Sequence, residues 1–406
     1  MHYAQWCNRY ITESEDFMSH YKRILSAAVL AVLSSAVDAV PFSVEARSLG
    51  MGNARVATAD IATAPFANPG MLSYQPSRED FSLLVGAGAF LNDSDGLVDS
   101  IEQFQDAYDN AQAGNLTEAA RALSIVQSMD GDVIAPEATA AFSTGYSGET
   151  WAFALSARAD VISAGTVTNI SQDVADLLTN PNANILELEG VSTNELGVSL
   201  ARNFKVFNRK LAVGIKPKYV QVENIYLREP IATIDTGLRD LLDGSTIDLG
   251  NFTTFDLGLV MGLTENTQIG LVATNLVSNT IKFVNSSNVP ATLSFDTQAR
   301  LGLAYRNRYV TLGADLDLLE SDALFTSQSF TALKTQYAAI GGELNAFDFM
   351  QIRLGAQKNL ADGISEAAKD TMYTAGLGFW FGFNLDVAVI SQNDSLGGFL
   401  QTGFRF

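Results

Sequence analysis

The chain has 406 residues, 47% of them hydrophobic and 17% charged, and its 45 acidic and 25 basic side chains give a formal net charge of −20 at pH 7. That acidity, without basic clusters, excludes the phosphate-binding surface that a nucleic-acid partner requires. The sole cysteine, Cys7, and both histidines, His2 and His20, fall at the extreme N-terminus. If that region is a removed leader, the mature chain has no disulfide, no Ser-His-Asp or Cys-His catalysis and no ordinary zinc site. No enzyme activity and no cofactor are expected.

Residues 1–17 are polar and acidic, with Glu13, Glu15 and Asp16, and read as a mis-called extension that makes Met18 the alternative start to Met1. Lys22 and Arg23 then precede an apolar run from Ile24 to Val37, and Val37-Asp38-Ala39 offers small residues where a signal peptidase reads. Residues 18–39 are therefore expected to be a signal peptide. The run is too short to cross a bilayer as a helix. Residues 40–79 follow, rich in Gly and Ala and short of alternation. In them Gly50 and Gly52 allow close backbone approach or positive φ, and Asn68-Pro69 favours a turn.

From there to the C-terminus, period-2 alternation gives fourteen strand candidates: 80–90, 136–147, 150–160, 193–203, 209–223, 251–264, 267–278, 295–306, 308–318, 337–347, 349–358, 370–382, 384–391 and 397–406. The intervals between them alternate long and short. The short ones shrink to turns such as Ser147-Gly148-Glu149, Glu265-Asn266 and Asn307, and the interval 392–396 fits the rhythm least. An even number of antiparallel strands with short turns at one rim and long loops at the other is the pattern of an outer-membrane β-barrel. Strands of about ten residues also suit a tilted crossing better than a soluble sandwich.

The two strand faces differ in the way a barrel wall requires. Trp151, Phe153 and Leu155, then Leu257, Leu259 and Met261, then Leu301, Leu303 and Tyr305 form apolar columns, whereas Asp256, Arg300, Arg306, Asp315, Asp317, Arg353 and Asp386 lie on the opposite faces, as do Lys216 and Lys218. A lumen would receive those charges and lipid the apolar columns. Aromatic pairs flank the short turns (Tyr146 and Trp151, Phe204 and Phe207, Tyr305 and Tyr309, Phe347 and Phe349, Phe381 and Phe383), as expected of a girdle at one membrane interface.

Several long intervals carry helical spacing: Ile101, Phe104, Tyr108 and Ala111, then Leu123 and Val126; Val174, Leu177 and Leu178; and Ile231, Ile234, Leu238, Leu241 and Leu242. These could cap the loop-side mouth or pack on each other above it. Asn92-Asp93-Ser94-Asp95-Gly96 has the composition of a calcium loop but not its register, and reads as an acidic loop tip. At the C-terminus Phe404 and Phe406 alternate with Arg405, and a terminal Phe resembles the signal by which the barrel-assembly machinery recognises its clients.

The run from Ala46 to Asp60, with Arg47, Gly50, Met51 and Gly52, followed by Asn68, Pro69 and Leu72, resembles the opening of FadL-like and PorV-like outer-membrane proteins. The whole mature chain is similar to the outer-membrane family called conjugal transfer protein TraF. Ile61 stands where that opening commonly has an acidic residue, and Gly70 where it has Ala. The resemblance implies a fourteen-strand barrel over residues 80–406 and a hatch inside it over residues 40–79. Its implied function is passage of small hydrophobic molecules across the outer membrane of a Gram-negative bacterium. The expected partners are outer-membrane lipid, the assembly machinery and a hydrophobic small-molecule ligand. An accessory role in a conjugal DNA-transfer apparatus and a structural surface role are the alternatives.

Overall fold

The computed structural model describes residues 45–75, 80–93, 95–180, 183–206, 209–234, 245–284, 290–321, 325–326, 334–347, 349–362, 371–392 and 395–406. The start-site and signal-peptide readings lie outside them. Among these residues the strands in chain order are β1 (Phe81–Asn92), β2 (Val133–Ser147), β3 (Trp151–Thr168), β4 (Ile185–Val206), β5 (Arg209–Pro230), β6 (Ser245–Gly262), β7 (Thr267–Thr274), β8 (Asn279–Val284), β9 (Pro290–Phe295), β10 (Gln298–Arg306), β11 (Val310–Asp317), β12 (Phe325–Thr326), β13 (Tyr337–Phe347), β14 (Met350–Asn359), β15 (Met372–Trp380), β16 (Asn384–Gln392) and β17 (Ser395–Arg405). All but β8, β9 and β12 pair antiparallel, neighbour to neighbour, into a closed barrel of fourteen strands. β17 returns to β1 in the register Val85↔Thr402, so the barrel has no free edge.

Each strand candidate corresponds to one barrel strand, but the wall is lopsided. β4 and β5 run 22 residues each, against 8 for β7 and β11. β7 ends at Thr274, short of 278, because Asn275 turns into positive φ (52°) and its N–H passes to the Asp256 carboxylate at 2.9 Å. β16 and β17 are separated by only two residues, so the interval that fitted the rhythm least is indeed short.

Five α-helices, α1 (Ala46–Gly50), α2 (Ala64–Ala67), α3 (Leu97–Gln112), α4 (Leu116–Ser128) and α5 (Val174–Thr179), and a 3₁₀ turn at Pro69–Leu72 complete the described elements. The acidic run before α3 serves as its cap, with Asp93 accepting from the N–H groups of Leu97 and Val98. Asn115 and Asp173 cap α4 and α5 in the same way. The three longer helices do not sit over the mouth. Their apolar faces (Ile101, Phe104, Val126, Leu177) pack with Leu186 and Leu188 of β4. Those two leucines share the parity of Leu196, Val198 and Leu200, which point outward and are exposed. The helices therefore clothe the outer face of the tall wall, above the level where the same face is bare. Ile231 and Ile234 join this cluster; Leu238, Leu241 and Leu242 lie outside the described residues. The mouth is approached instead by the small β8–β9–β12 sheet, whose Ala291 and Leu293 pack on Val191, Val220, Val222 and Phe252, inward residues of β4, β5 and β6.

At the short-turn rim Tyr146, Trp151, Phe204, Tyr305, Tyr309, Phe349, Phe381 and Phe383 are all exposed on the outer face, the arrangement of an interfacial girdle. The side chains of Phe207 and Phe347 lie outside the described set.

Residues 45–75 lie inside the barrel and are buried almost throughout. Their backbone approaches the wall so closely that eight consecutive barrel strands each meet it with a glycine: Gly214, Gly258, Gly270, Gly302, Gly313, Gly341, Gly355 and Gly376, from β5, β6, β7, β10, β11, β13, β14 and β15. A Cβ on Gly341 would stand 2.1 Å from the Met51 carbonyl oxygen, and one on Gly355 2.1 Å from the Gly52 nitrogen. Both obstacles are backbone and cannot step aside. Gly52 itself has φ 64° and is followed by Asn53, also at 64°, which reverses the segment after α1.

Gly355→Leu is therefore expected to leave strand pairing intact but to dislodge residues 46–58, at a cost of about 1–3 kcal/mol. Chemical unfolding and hydrogen exchange of that peptide would read this. Gly398→Ala, where a Cβ meets only ordinary contacts, should change neither.

Candidate functional site in the barrel lumen

The luminal segment is folded by its own short-range bonds and fixed by polar groups of the wall. Asp60 Oδ1 accepts from the N–H groups of Ala62 (3.1 Å) and Thr63 (3.0 Å), opening the turn that leads into α2. Asn68 Oδ1 accepts from Gly70 N at 3.0 Å and starts a 3₁₀ turn over Pro69–Leu72, with proline at a position that needs no donor. Asn68 Nδ2 also donates to the Val56 carbonyl at 3.0 Å, tying the two halves of the segment together.

From the wall, Asp315 Oδ2 accepts from the N–H groups of Arg55 (2.7 Å) and Val56 (2.9 Å), and Thr374 Oγ1 from Gly52 N at 2.9 Å. Gln401 accepts from Ala46 N, Gln357 from the Asn53 amide, and Gln268 donates to the Ala57 carbonyl. A backbone without ladder partners finds its hydrogen bonds in inward side chains of strands that are distant in sequence.

Charge does the rest. Arg47 forms a two-bond fork with Glu343 (2.9 and 3.1 Å), and Glu343 also receives Arg353 Nε at 2.8 Å, while Arg353 Nη1 reaches Asp386 at 2.6 Å. Arg47, Glu343, Arg353 and Asp386 thus form an alternating chain of buried charges that crosses from segment to wall. Arg405 pairs with Asp60 at 2.8 Å. Burial alone would raise the Asp60 carboxyl, but Arg405 and then Arg47 hold it below its usual range. Burial lowers the Arg47 guanidinium, and Glu343 more than reverses this.

The sequence-predicted residues divide into five groups. Arg47, Asp60, Arg353, Asp386 and Arg306 come together near the short-turn end, where Arg306 donates to the Thr58 carbonyl at 2.7 Å. Asp315 holds the segment's middle. Asp256, bonded to Lys218 at 3.0 Å, and the Arg300–Asp317 pair belong to a separate lumenal charge layer that also contains Glu195. Gly50, Gly52 and Pro69 act through backbone fit, and Met51 is fully buried. Phe404 and Phe406 stay outside on the rim; Phe406 closes the ring by exchanging hydrogen bonds with Phe81 (2.8 and 3.1 Å). Glu343, Arg405 and Glu45 were not singled out from sequence. For the first two, inward phase with neighbouring charges was the available signal.

An apolar patch interrupts this polar lining. Phe90, Phe399, Met372 and Ile390, inward residues of β1, β17, β15 and β16, surround Ala46 and Leu49 of α1. The rings lie over glycines: Phe399 covers Gly86 and Gly88, and Phe90 covers Gly397.

Glu45, fully buried at the start of the segment, is bonded to Ser48. Burial first, and the nearby Asp60 charge second, push its carboxyl up from 4.5 to about 7. The folded chain then keeps a proton that the unfolded chain loses, so stability falls as pH rises from 4.5 through 7. Glu45→Gln should abolish that fall, stabilising the barrel by about 3 kcal/mol above pH 8 and little below pH 4. Unfolding curves of the two proteins across pH would show it.

With the fold and lumen in place, comparison gives consistent kinship. A family model described as "F plasmid transfer operon, TraF, protein" matches residues 65–317, more than half of the chain. A search of curated proteins gave no match. Among solved structures, the chain is similar to the TodX deltaS2S3 mutant monoaromatic hydrocarbon channel (TM-score 0.52, 13% identity, 89% of this chain and 98% of that one). It is also similar to the Ralstonia pickettii toluene transporter TbuX (0.51, 13%, 88% and 97%) and the P. putida toluene transporter TodX (0.51, 12%, 88% and 97%). At such identities the likeness concerns the fold, a closed barrel of fourteen strands. The chain belongs to the TraF family that the matching model describes.

Proposed function

We propose that this protein is an outer-membrane channel for small hydrophobic molecules, with residues 45–75 as its hatch. The observation that carries the reading is the apolar patch of Phe90, Phe399, Met372 and Ile390, which meets the hatch at Leu49 in a lumen whose wall also carries buried charges. A barrel serving only as a surface structure has no need of an apolar contact between a separable plug and its wall. The hatch is held by hydrogen bonds and ion pairs that water can replace, and its removal would leave a hydrated lumen. The solved structures of similar fold include transporters of toluene and a monoaromatic hydrocarbon channel, which supports a substrate of that character. The helices on the outer face of the tall wall, next to the apolar band, are suited to gather such solutes at the cell surface. The short turns then face the periplasm.

Removing residues 46–72 while keeping the signal peptide is expected to give a barrel that still inserts, conducts ions more readily and binds hydrophobic ligand less. Planar-bilayer conductance beside binding of a fluorescent fatty-acid probe tests both. A folded truncation with unaltered conductance, and no probe binding in either form, would favour the accessory role in DNA transfer or the surface role.

Assembly follows from the rim. Phe406 is highly exposed, and its ring stands 5.2 Å from Phe81 at the barrel seam. As part of the signal read by the assembly machinery, it should matter beyond that contact. Deleting Phe406 should reduce the heat-modifiable folded form in membranes while in-vitro refolding into detergent changes little. Equal loss in both settings would assign it a purely structural role.

A further inference from the structure

The short-turn end of the lumen contains a cavity of about 500 Å³ between the hatch and the turns, lined by five arginines and three carboxylates, Asp60, Glu265 and Glu343. Three of the arginines are matched: Arg47 and Arg353 share Glu343, Arg353 also holds Asp386, and Arg405 holds Asp60. Arg306 is not. Its guanidinium donates to the Thr58 carbonyl at 2.7 Å, an oxygen that Arg47 Nη1 already takes at 2.8 Å, and among the described residues it has no carboxylate partner. Two guanidiniums therefore converge on one neutral oxygen beside an open space.

The sign of the local charge is fixed by this arrangement. Arg47, Arg306, Arg353 and Arg405 face Asp60, Glu343 and Asp386 within the hydrogen-bonded group, which leaves one positive charge, and Arg308 and Glu265, also on the lining, cancel in the count. A guanidinium has five N–H donors in a planar fork and is weakly hydrated, which suits it to carboxylate or phosphate oxygens more than to bulk water. Charge-assisted bonds of this kind are also strengthened where the protein excludes part of the solvent.

We propose that the cavity is a binding site for one small oxyanion, a carboxylate or a phosphate, held by Arg306 with Arg47 and Arg308 beside it. The site lies on the periplasmic side of the hatch, away from the apolar patch, and its existence does not depend on what crosses the barrel. An occupied site would neutralise the surplus charge and place an anion against the Thr58 turn, where the hatch meets the wall.

The test is isothermal titration of the full mature chain in non-ionic detergent, with inorganic phosphate as one probe and acetate as the other, at neutral pH and fixed ionic strength. One saturable site per chain for either probe is expected, and which probe binds identifies the oxyanion. Arg306→Gln should weaken that binding about ten-fold or more, as loss of charge-assisted hydrogen bonds implies. Arg306→Lys should retain part of it. Folding of each variant is checked by heat-modifiability. Should Arg306→Gln fail to fold, Arg308→Gln, at the exposed edge, supplies the second variant and should weaken binding by a smaller factor. Absence of saturable binding to the wild-type chain, or equal affinity in folded wild-type and Arg306→Gln proteins, would overturn the site.

Discussion

The close approach of the luminal backbone to the barrel wall is the constraint on which the rest of this structure depends. A peptide segment inside a barrel has no ladder to complete, so its N–H and C=O groups must be met by side chains. Those side chains can reach only if the segment lies against the wall, and it can lie there only where the wall has no Cβ. The glycine on each of eight consecutive strands provides that space, and Asp315, Thr374, Gln401 and Gln268 provide the bonds. Glycine weakens a strand, through lost packing and added unfolded-state entropy. Closure of the barrel offsets this, since every affected strand is paired on both sides.

Charge fixes the segment from both sides of the contact. The wall offers the carboxylate of Asp315 to the N–H groups of Arg55 and Val56. Arg47 of the segment and Arg405 of the wall each reach across to a carboxylate of the other partner. Breaking one member of such a buried pair usually costs more than the pair contributes in net terms. The ion pairs therefore specify the seat of the segment more than they add to stability.

Much of this was legible in the sequence, because a strand's period of two makes facing a matter of counting. Trp151, Phe153 and Leu155 had to face opposite to Arg158 and Ser156 on their strand, and the inward phase of Asp256, Arg300, Asp315 and Arg353 followed in the same way. Counting cannot tell which inward groups meet. Arg47 and Glu343 are 296 positions apart, and Ala46 and Gln401 are 355 apart. Their pairing depends on barrel closure and stagger, which no local pattern encodes. The helices failed differently: spacing marks an apolar face without naming the surface that covers it. Leu186 and Leu188 continue the phase of lipid-facing residues, and only the extra height of β4 shows that helices rather than lipid cover them.

That height bears on how a hydrophobic solute could meet a charged lumen. On β4 one outward face is apolar twice, first bare and then, further from the short turns, clothed by α3, α4 and α5. On the inner face of β4, β5 and β6 the order is charged below, with Glu195, Lys216, Lys218 and Asp256, and apolar above, where Val220, Val222 and Phe252 meet the small sheet. Across the barrel, at β1 and β15 to β17, the apolar patch reaches down to the hatch itself. The hatch meets apolar wall on both sides, for Ile61, Met71 and Leu72 pack on Ala152, Ala154, Ala201, Ala212 and Val260 of β3 to β6, but along those strands Glu195, Lys216, Lys218 and Asp256 stand between that contact and the apolar surface above. On the seam side Phe90 and Phe399 meet Ala46 and Leu49 in one apolar cluster, with no charged layer between ring and hatch.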